Sequence, residues 1–185
     1  MKYINILSIC SLLIVFTYCS SKSESEVGHN TGNLSVGDIA RDFKLEKVIK
    51  FSELQEYMVT RTDTKVKVIN FWATWCQPCV KELPFIDSLR YAYDPHKIEV
   101  LLVNLDFPDE RTKVNAFLQR KKIGAPVWLL DESDPNLFID QVDPSWSGAI
   151  PATLLIQNAT AQRVLLEGEL TKAELEEHIN KLLKD

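Results

Sequence analysis

A nearly unbroken β-rich run, Val66-Lys67-Val68-Ile69-Asn70-Phe71-Trp72, leads within a few residues into Trp75-Cys76-Gln77-Pro78-Cys79. A run of that kind suits a strand buried on both faces, which commits the chain to a sheet with helices on either side. A helix starting at the cysteines places the first sulfur at a helix N-terminus, among unpaired backbone N–H groups and partial positive charge. Both favour a thiolate over a thiol, and the thiolate is the species that attacks disulfides. The second thiol stands close enough to displace whatever the first one captures.

The flanking sequence supplies the rest of a mixed α/β sheet. Phe43, Leu45 and Val48-Ile49 read as short edge strands, and a short helix follows from Ser52 with Leu54, Tyr57 and Met58 on one face. A helix is predicted from Cys76 to about Tyr93, with Pro84 inside it and a kink near Val80 to Pro84. Ile98 to Leu105 is a second buried strand, and Asp109 is placed to cap a helix reaching Lys121, with Gly124 as its stop. Val127 to Leu130 is a short strand and Pro135 to Val142 a short helix. A hairpin follows, Ala152 to Gln157 returning through Arg163 to Glu167. Thr171 and Glu174 form a capping box for the last helix, in which Leu175, Ile179, Leu182 and Leu183 repeat at helical spacing. Crossovers in such a sheet are right-handed and leave helices on both faces.

The chain has 185 residues and a net charge of −5, room for one domain and a leader without the basic footprint of a nucleic-acid binder. Of its 4 cysteines, Cys10 and Cys19 fall in the N-terminal segment, so the domain has one pair and no disulfide framework. Lys2 followed by the apolar stretch Ile4 to Tyr18 reads as an export signal over residues 1–18. Cys19-Ser20-Ser21 then resembles the start of a bacterial lipoprotein, with Cys19 lipidated after cleavage, although Tyr18 stands where a small residue is usual. Ordinary signal cleavage, with Cys19 a passenger, is the alternative. Residues 19–35 are polar and read as a flexible tether, leaving 36–185 as a single domain. An exported protein with one such pair works on the periplasmic side, in an oxidising compartment, and needs an external electron source.

Four segments carry a family resemblance. They are Asn70 to Cys79, Glu82-Leu83-Pro84, Val36 to Phe43, and Ile150-Pro151-Ala152-Thr153. Together they resemble the thioredoxin superfamily, and within it the membrane-tethered TlpA/ResA-type thiol–disulfide oxidoreductases. The resemblance implies a thioredoxin-like fold, a central mixed β-sheet flanked by helices on both faces. Arg41 departs from it, standing where the group often has Pro. Cys76 is the expected nucleophile and Cys79 the resolving thiol, with Gln77 and Pro78 tuning the pair. The Cys76–Cys79 disulfide is the redox group, and no cofactor is expected. The resemblance also implies a cis bond before Pro151, which leaves the Ile150 backbone free to pair with an extended substrate.

Glu82 lies one turn beyond Cys79 and is read either as an active-site acid with a raised pKa or as a solvated helix-surface residue beside Lys81. Asn70 stands where thioredoxin has a buried Asp, which increases interest in Glu82. Trp75 is expected to form an apolar rim that contacts a partner protein; Trp146 is either core or an extension of that rim. A zinc site would need a second Cys or His pair, and His29, His96 and His178 are scattered.

The expected partners are exported client proteins with disulfides and a membrane thiol-electron donor; the resemblance adds the haem-attachment cysteines of apocytochrome c. Three rivals share the sequence: a thiol oxidant or isomerase on the same fold, a peptide- or haem-handling chaperone, and a peroxide-reducing enzyme. The last is weakened by the lack of a Pro-x-x-x-Thr-x-x-Cys loop.

Overall fold

A computed structural model describes residues 43–60 and 65–184. The expected leader and tether, with Cys10, Cys19 and His29, lie outside the described residues, as does most of the segment starting at Val36.

The chain runs β1 (Lys47–Ile49), α1 (Phe51–Val59), β2 (Val66–Trp72), α2 (Gln77–Ala92), β3 (Ile98–Asn104), α3 (Arg111–Lys121), β4 (Val127–Leu130), α4 (Ile139–Val142), β5 (Ala152–Gln157), β6 (Gln162–Glu167) and α5 (Lys172–Leu182). Six strands form one sheet in the order β1-β4-β3-β2-β5-β6. The first four pair in parallel, while β5 and β6 join antiparallel. This is the expected mixed sheet, with β2 in its interior.

Every residue of β2 is buried, and the two-residue period of the strand sorts them by face. Val66, Val68 and Trp72 join the apolar side chains of α2, α3 and α5 in one core. Ile69 and Phe71 join those of α1 and α4, with Phe138 and Trp146, in a second core. Helices therefore cover both faces. Two polar residues interrupt the strand, one on each side. Lys67 reaches the end of α1, where its ammonium donates to the carbonyls of Tyr57 (2.5 Å) and Thr60 (3.0 Å). Those carbonyls lie at the electronegative end of the helix, a favourable site for a buried cation. Asn70 turns toward α2.

Three local expectations are corrected. Phe43 and Leu45 lie outside any strand; Leu45 N–H donates to Asn115 Oδ1 at 2.7 Å, so a side chain of α3 holds this segment in place of a ladder. Asp109 does not cap α3, because Pro108–Glu110 forms a 3-10 turn and the α-helix begins at Arg111. The left-handed stop of α3 is Lys122 (φ 56°), not Gly124. Gly124 meets a different demand: a Cβ there would lie 2.2 Å from Arg90 Nη2. Its N–H and that of Ala125 both donate to Asp87 Oδ1, at 3.0 and 2.6 Å, which ties the α3–β4 turn to α2. The capping box at Thr171 and Glu174 forms as expected.

Candidate functional site

The redox turn follows directly from β2 and its neighbours. Trp72 O accepts from Leu105 N–H at 2.8 Å, closing the ladder between β2 and the end of β3. The chain then turns at Ala73 and Thr74, and Cys76 N–H donates to Ala73 O at 3.2 Å. Cys76 occupies the N-cap of α2, with Pro78 inside the first turn, where a missing N–H breaks no helical bond. The Cys76 sulfur accepts from Cys79 N–H at 3.3 Å. The two sulfurs form a disulfide, with 5.3 Å between the Cα atoms. Cys79 is fully buried, and Cys76 keeps 6% of its surface.

Ile150-Pro151 is a cis peptide bond, and Ile150 O lies 3.7 Å from the Cys76 sulfur. Trp75 stands beside the pair at 59% exposure, whereas Trp72 is wholly buried against Phe117. Trp146 follows the core reading, at 3% exposure. It is packed between Phe71 and Phe138, its indole N–H donates to Ala149 O, and its edge still lines the groove next to Ile150.

Behind the disulfide lies a buried polar cluster. Glu82 is 1% exposed and sits one helical turn beyond Cys79. Its Oε1 accepts from Asn70 Nδ2 at 3.0 Å, and its Oε2 accepts from Leu170 N–H at 3.2 Å. The same Asn70 amide donates to Thr153 Oγ1 at 3.0 Å, directly across the β2–β5 pairing. Burial raises the Glu82 pKa to about 7, against the pull of the two donors and with a smaller push from Glu169. A group poised there exchanges protons readily at neutral pH. The solvated alternative for Glu82 is thereby corrected: Lys81 points to solvent and reaches Glu169, while Glu82 faces the core.

Asp106 is a site residue that the sequence did not announce. Its carboxylate, buried to 1%, accepts from Thr74 N–H (2.7 Å), Thr74 Oγ1–H (2.5 Å) and Asn104 Nδ2 (2.8 Å). It fixes the turn ahead of Cys76 to the end of β3. Nothing in the local string Asn104-Leu105-Asp106 distinguishes this anchor from an ordinary polar loop. Asp106→Ala strands the Thr74 and Asn104 donors and should cost about 2 kcal/mol of stability, read as a fall in the urea midpoint.

Among the described residues no cluster of three or more His, Cys, Asp or Glu is placed to hold a metal ion, and no helix is long and apolar enough to cross a membrane.

A disulfide-bonded cysteine pair at a helix start, facing a cis-proline turn on a mixed sheet, defines a thioredoxin-like thiol–disulfide protein. The AhpC/TSA family model matches residues 36–161. The thiol-disulfide oxidoreductase ResA of Geobacillus thermodenitrificans is 30% identical over 149 residues, covering 80% of this chain and 79% of that protein. ResA of Bacillus cereus (strain ATCC 10987 / NRS 248) is 28% identical over 181 residues, 96% of this chain and 92% of the relative. A thioredoxin-related protein from Neisseria meningitidis serogroup B superposes with a TM-score of 0.59 at 23% identity, over 66% of this chain and 88% of that one, a likeness of fold. The chain belongs to the AhpC/TSA family and is a thiol–disulfide oxidoreductase of the ResA type.

Proposed function

We propose that this protein is an exported reductase of client disulfides, using Cys76 as nucleophile and Cys79 as resolving thiol. The observation that carries the proposal is the position of the Cys76 sulfur as N-cap acceptor of a helix of 16 residues. That position lowers a thiol pKa through backbone N–H donation and the helix dipole. The Cys76 thiolate attacks one client sulfur; the client S–S bond breaks, a Cys76–client bond forms, and the second client sulfur leaves as a thiolate and is protonated. Cys79, deprotonated with Glu82 as proton acceptor, then attacks the Cys76 sulfur. The Cys76–Cys79 disulfide forms and the first client sulfur is released as a thiol. Two electrons pass to the client, and a membrane dithiol donor returns them to the pair.

Trp75 and the Ile150 backbone serve as the client-facing surface, with Gln77 and Pro78 tuning the pair and Pro151 offering no N–H to compete for the Ile150 partner. Residues 1–18 act as leader and 19–35 as a tether to 36–185, with Cys19 as lipid anchor on the periplasmic side. Clients in this scheme include apocytochrome c with oxidised haem-attachment cysteines.

Cys79→Ser removes the resolving step. Expressed in cells, it should accumulate as mixed disulfides on Cys76 that collapse on reduction, and mass spectrometry of the released proteins names the clients. A Cys79→Ser protein that stays free of exported partners in an oxidising extract would sink the proposal.

A further inference from the structure

A groove of about 260 Å3 opens beside the redox turn, and Trp75 and Ile150 line it. Its other walls include Phe107, in the segment after β3, and Trp146, next to the cis-proline turn. Phe107 is 69% exposed and Trp75 59%, so two large apolar rings stand in solvent around one groove. Asp131 and Glu132, just after β4, contribute carboxylates, and no Lys, Arg or His lines the groove. Lys50 pairs with Asp131 at 2.9 Å and also feels the charge of Glu132, so one cation stands beside two carboxylates. With Lys50 counted, the Asp131–Glu132 end of the groove still carries one more acidic than basic group. A second depression next to the turn, lined by Gln77, carries Lys113, Arg120 and Lys121.

We infer that this groove selects the client segment flanking the attacked disulfide, preferring an aromatic or large aliphatic side chain followed by a Lys or Arg. The inference rests on the dithiol reading above and adds to it the chemistry of the client. Continuity decides the occupant. A client cysteine brought to Cys76 lies against Ile150, and an extended chain advancing about 3.3 Å per residue passes within a few residues along the groove. Its apolar side chain enters between Phe107 and Trp146, and its cation meets Glu132. The aromatic walls supply affinity through apolar area removed from water, and the carboxylate supplies register and sign.

The test uses the reduced full-length protein and a set of peptides, each carrying one cysteine as a mixed disulfide with glutathione. The peptides differ only in a dipeptide placed on one side of the cysteine, Phe-Arg, Phe-Glu, Ser-Arg or Ser-Glu, with each set made in both the N-terminal and the C-terminal position. In the single oxidation of the dithiol, the Phe-Arg peptide should exceed Ser-Arg by about tenfold in second-order rate constant from side-chain burial, and Phe-Glu by about threefold from one exposed charge pair. Glu132→Lys should invert the Arg-over-Glu order, and Phe107→Ser should bring the Phe-to-Ser ratio close to one. Equal rates for all four peptides in both positions, with glutathione disulfide still reduced, overturn the groove and leave the dithiol reading intact; this is the result if a second copy or the N-terminal segment fills it. An Arg-over-Glu preference that survives Glu132→Lys overturns it as well. Failure to reduce even glutathione disulfide overturns the dithiol reading and the groove together.

Discussion

Cys76→Ser should leave a folded protein that no longer reduces disulfides, with kcat/KM down by a factor on the order of 10⁴ or more. The hydroxyl is not ionised at neutral pH, so no attacking sulfur remains, and Cys79 is too deeply buried to take its place. The fold is spared for a specific reason. The native side chain at this position accepts the Cys79 N–H as an N-cap, and serine is among the preferred residues for that role. The melting temperature of the variant should therefore match that of the reduced native protein, not the oxidised one. Insulin reduction and circular dichroism on the same sample check both halves. Residual turnover above a few per cent would mean that the reacting group lies elsewhere.

Glu82 governs the second large effect, and it concerns stability. Its pKa is raised in the folded protein to about 7, from an unfolded value of 4.5. Between those values the folded chain holds a proton that the unfolded chain has lost, so stability falls as pH rises through this window and levels off above about pH 7. The full drop is roughly 3 kcal/mol for a shift of this size. The lowered carboxyls Asp143 and Glu174 act with the opposite sign and at lower pH; their contribution is lost only as pH falls through their folded values, so it is flat across this window. Glu82→Gln removes the slope. At pH 5 it is less stable than the native chain by about 1 kcal/mol, because one of the two donors from Asn70 and Leu170 then faces an amide NH2. At pH 8 it is more stable, since no buried charge remains. Urea midpoints measured from pH 5 to pH 8 should give curves that cross; parallel curves would show that Glu82 ionises normally.

Elements whose structure is dictated by local chemistry were legible in the sequence. β2 announced itself through its apolar run, α5 through its capping box and spacing, and α2 through a start at the cysteines that tolerates Pro84 within a continuous helix. Glu82 was visible as a position on the helix face bearing Cys79, but its burial was not. That depends on Asn70 and on the Leu170 amide, which is 88 residues away in the chain. Lys67 passed as one polar letter in a strand because the carbonyls that receive it belong to the end of α1. Asp106 and the groove share the same obscurity. Each is assembled from segments that meet only when the sheet forms, and no spacing rule connects them. The misplaced stop at Gly124 is instructive too: the glycine lies against the guanidinium of Arg90 and takes no left-handed turn.

The interior place of β2 has a bearing on which parts of the molecule can breathe. Its amide protons are shared between two ladders, one to β3 along all seven positions and one to β5 along five. Fraying of β1 or β6 at the margins breaks neither, so solvent reaches these amides only when the whole sheet parts. The sulfurs thus follow by one short turn the segment that opens last, and a client bonded to Cys76 is held next to the part of the sheet most resistant to opening.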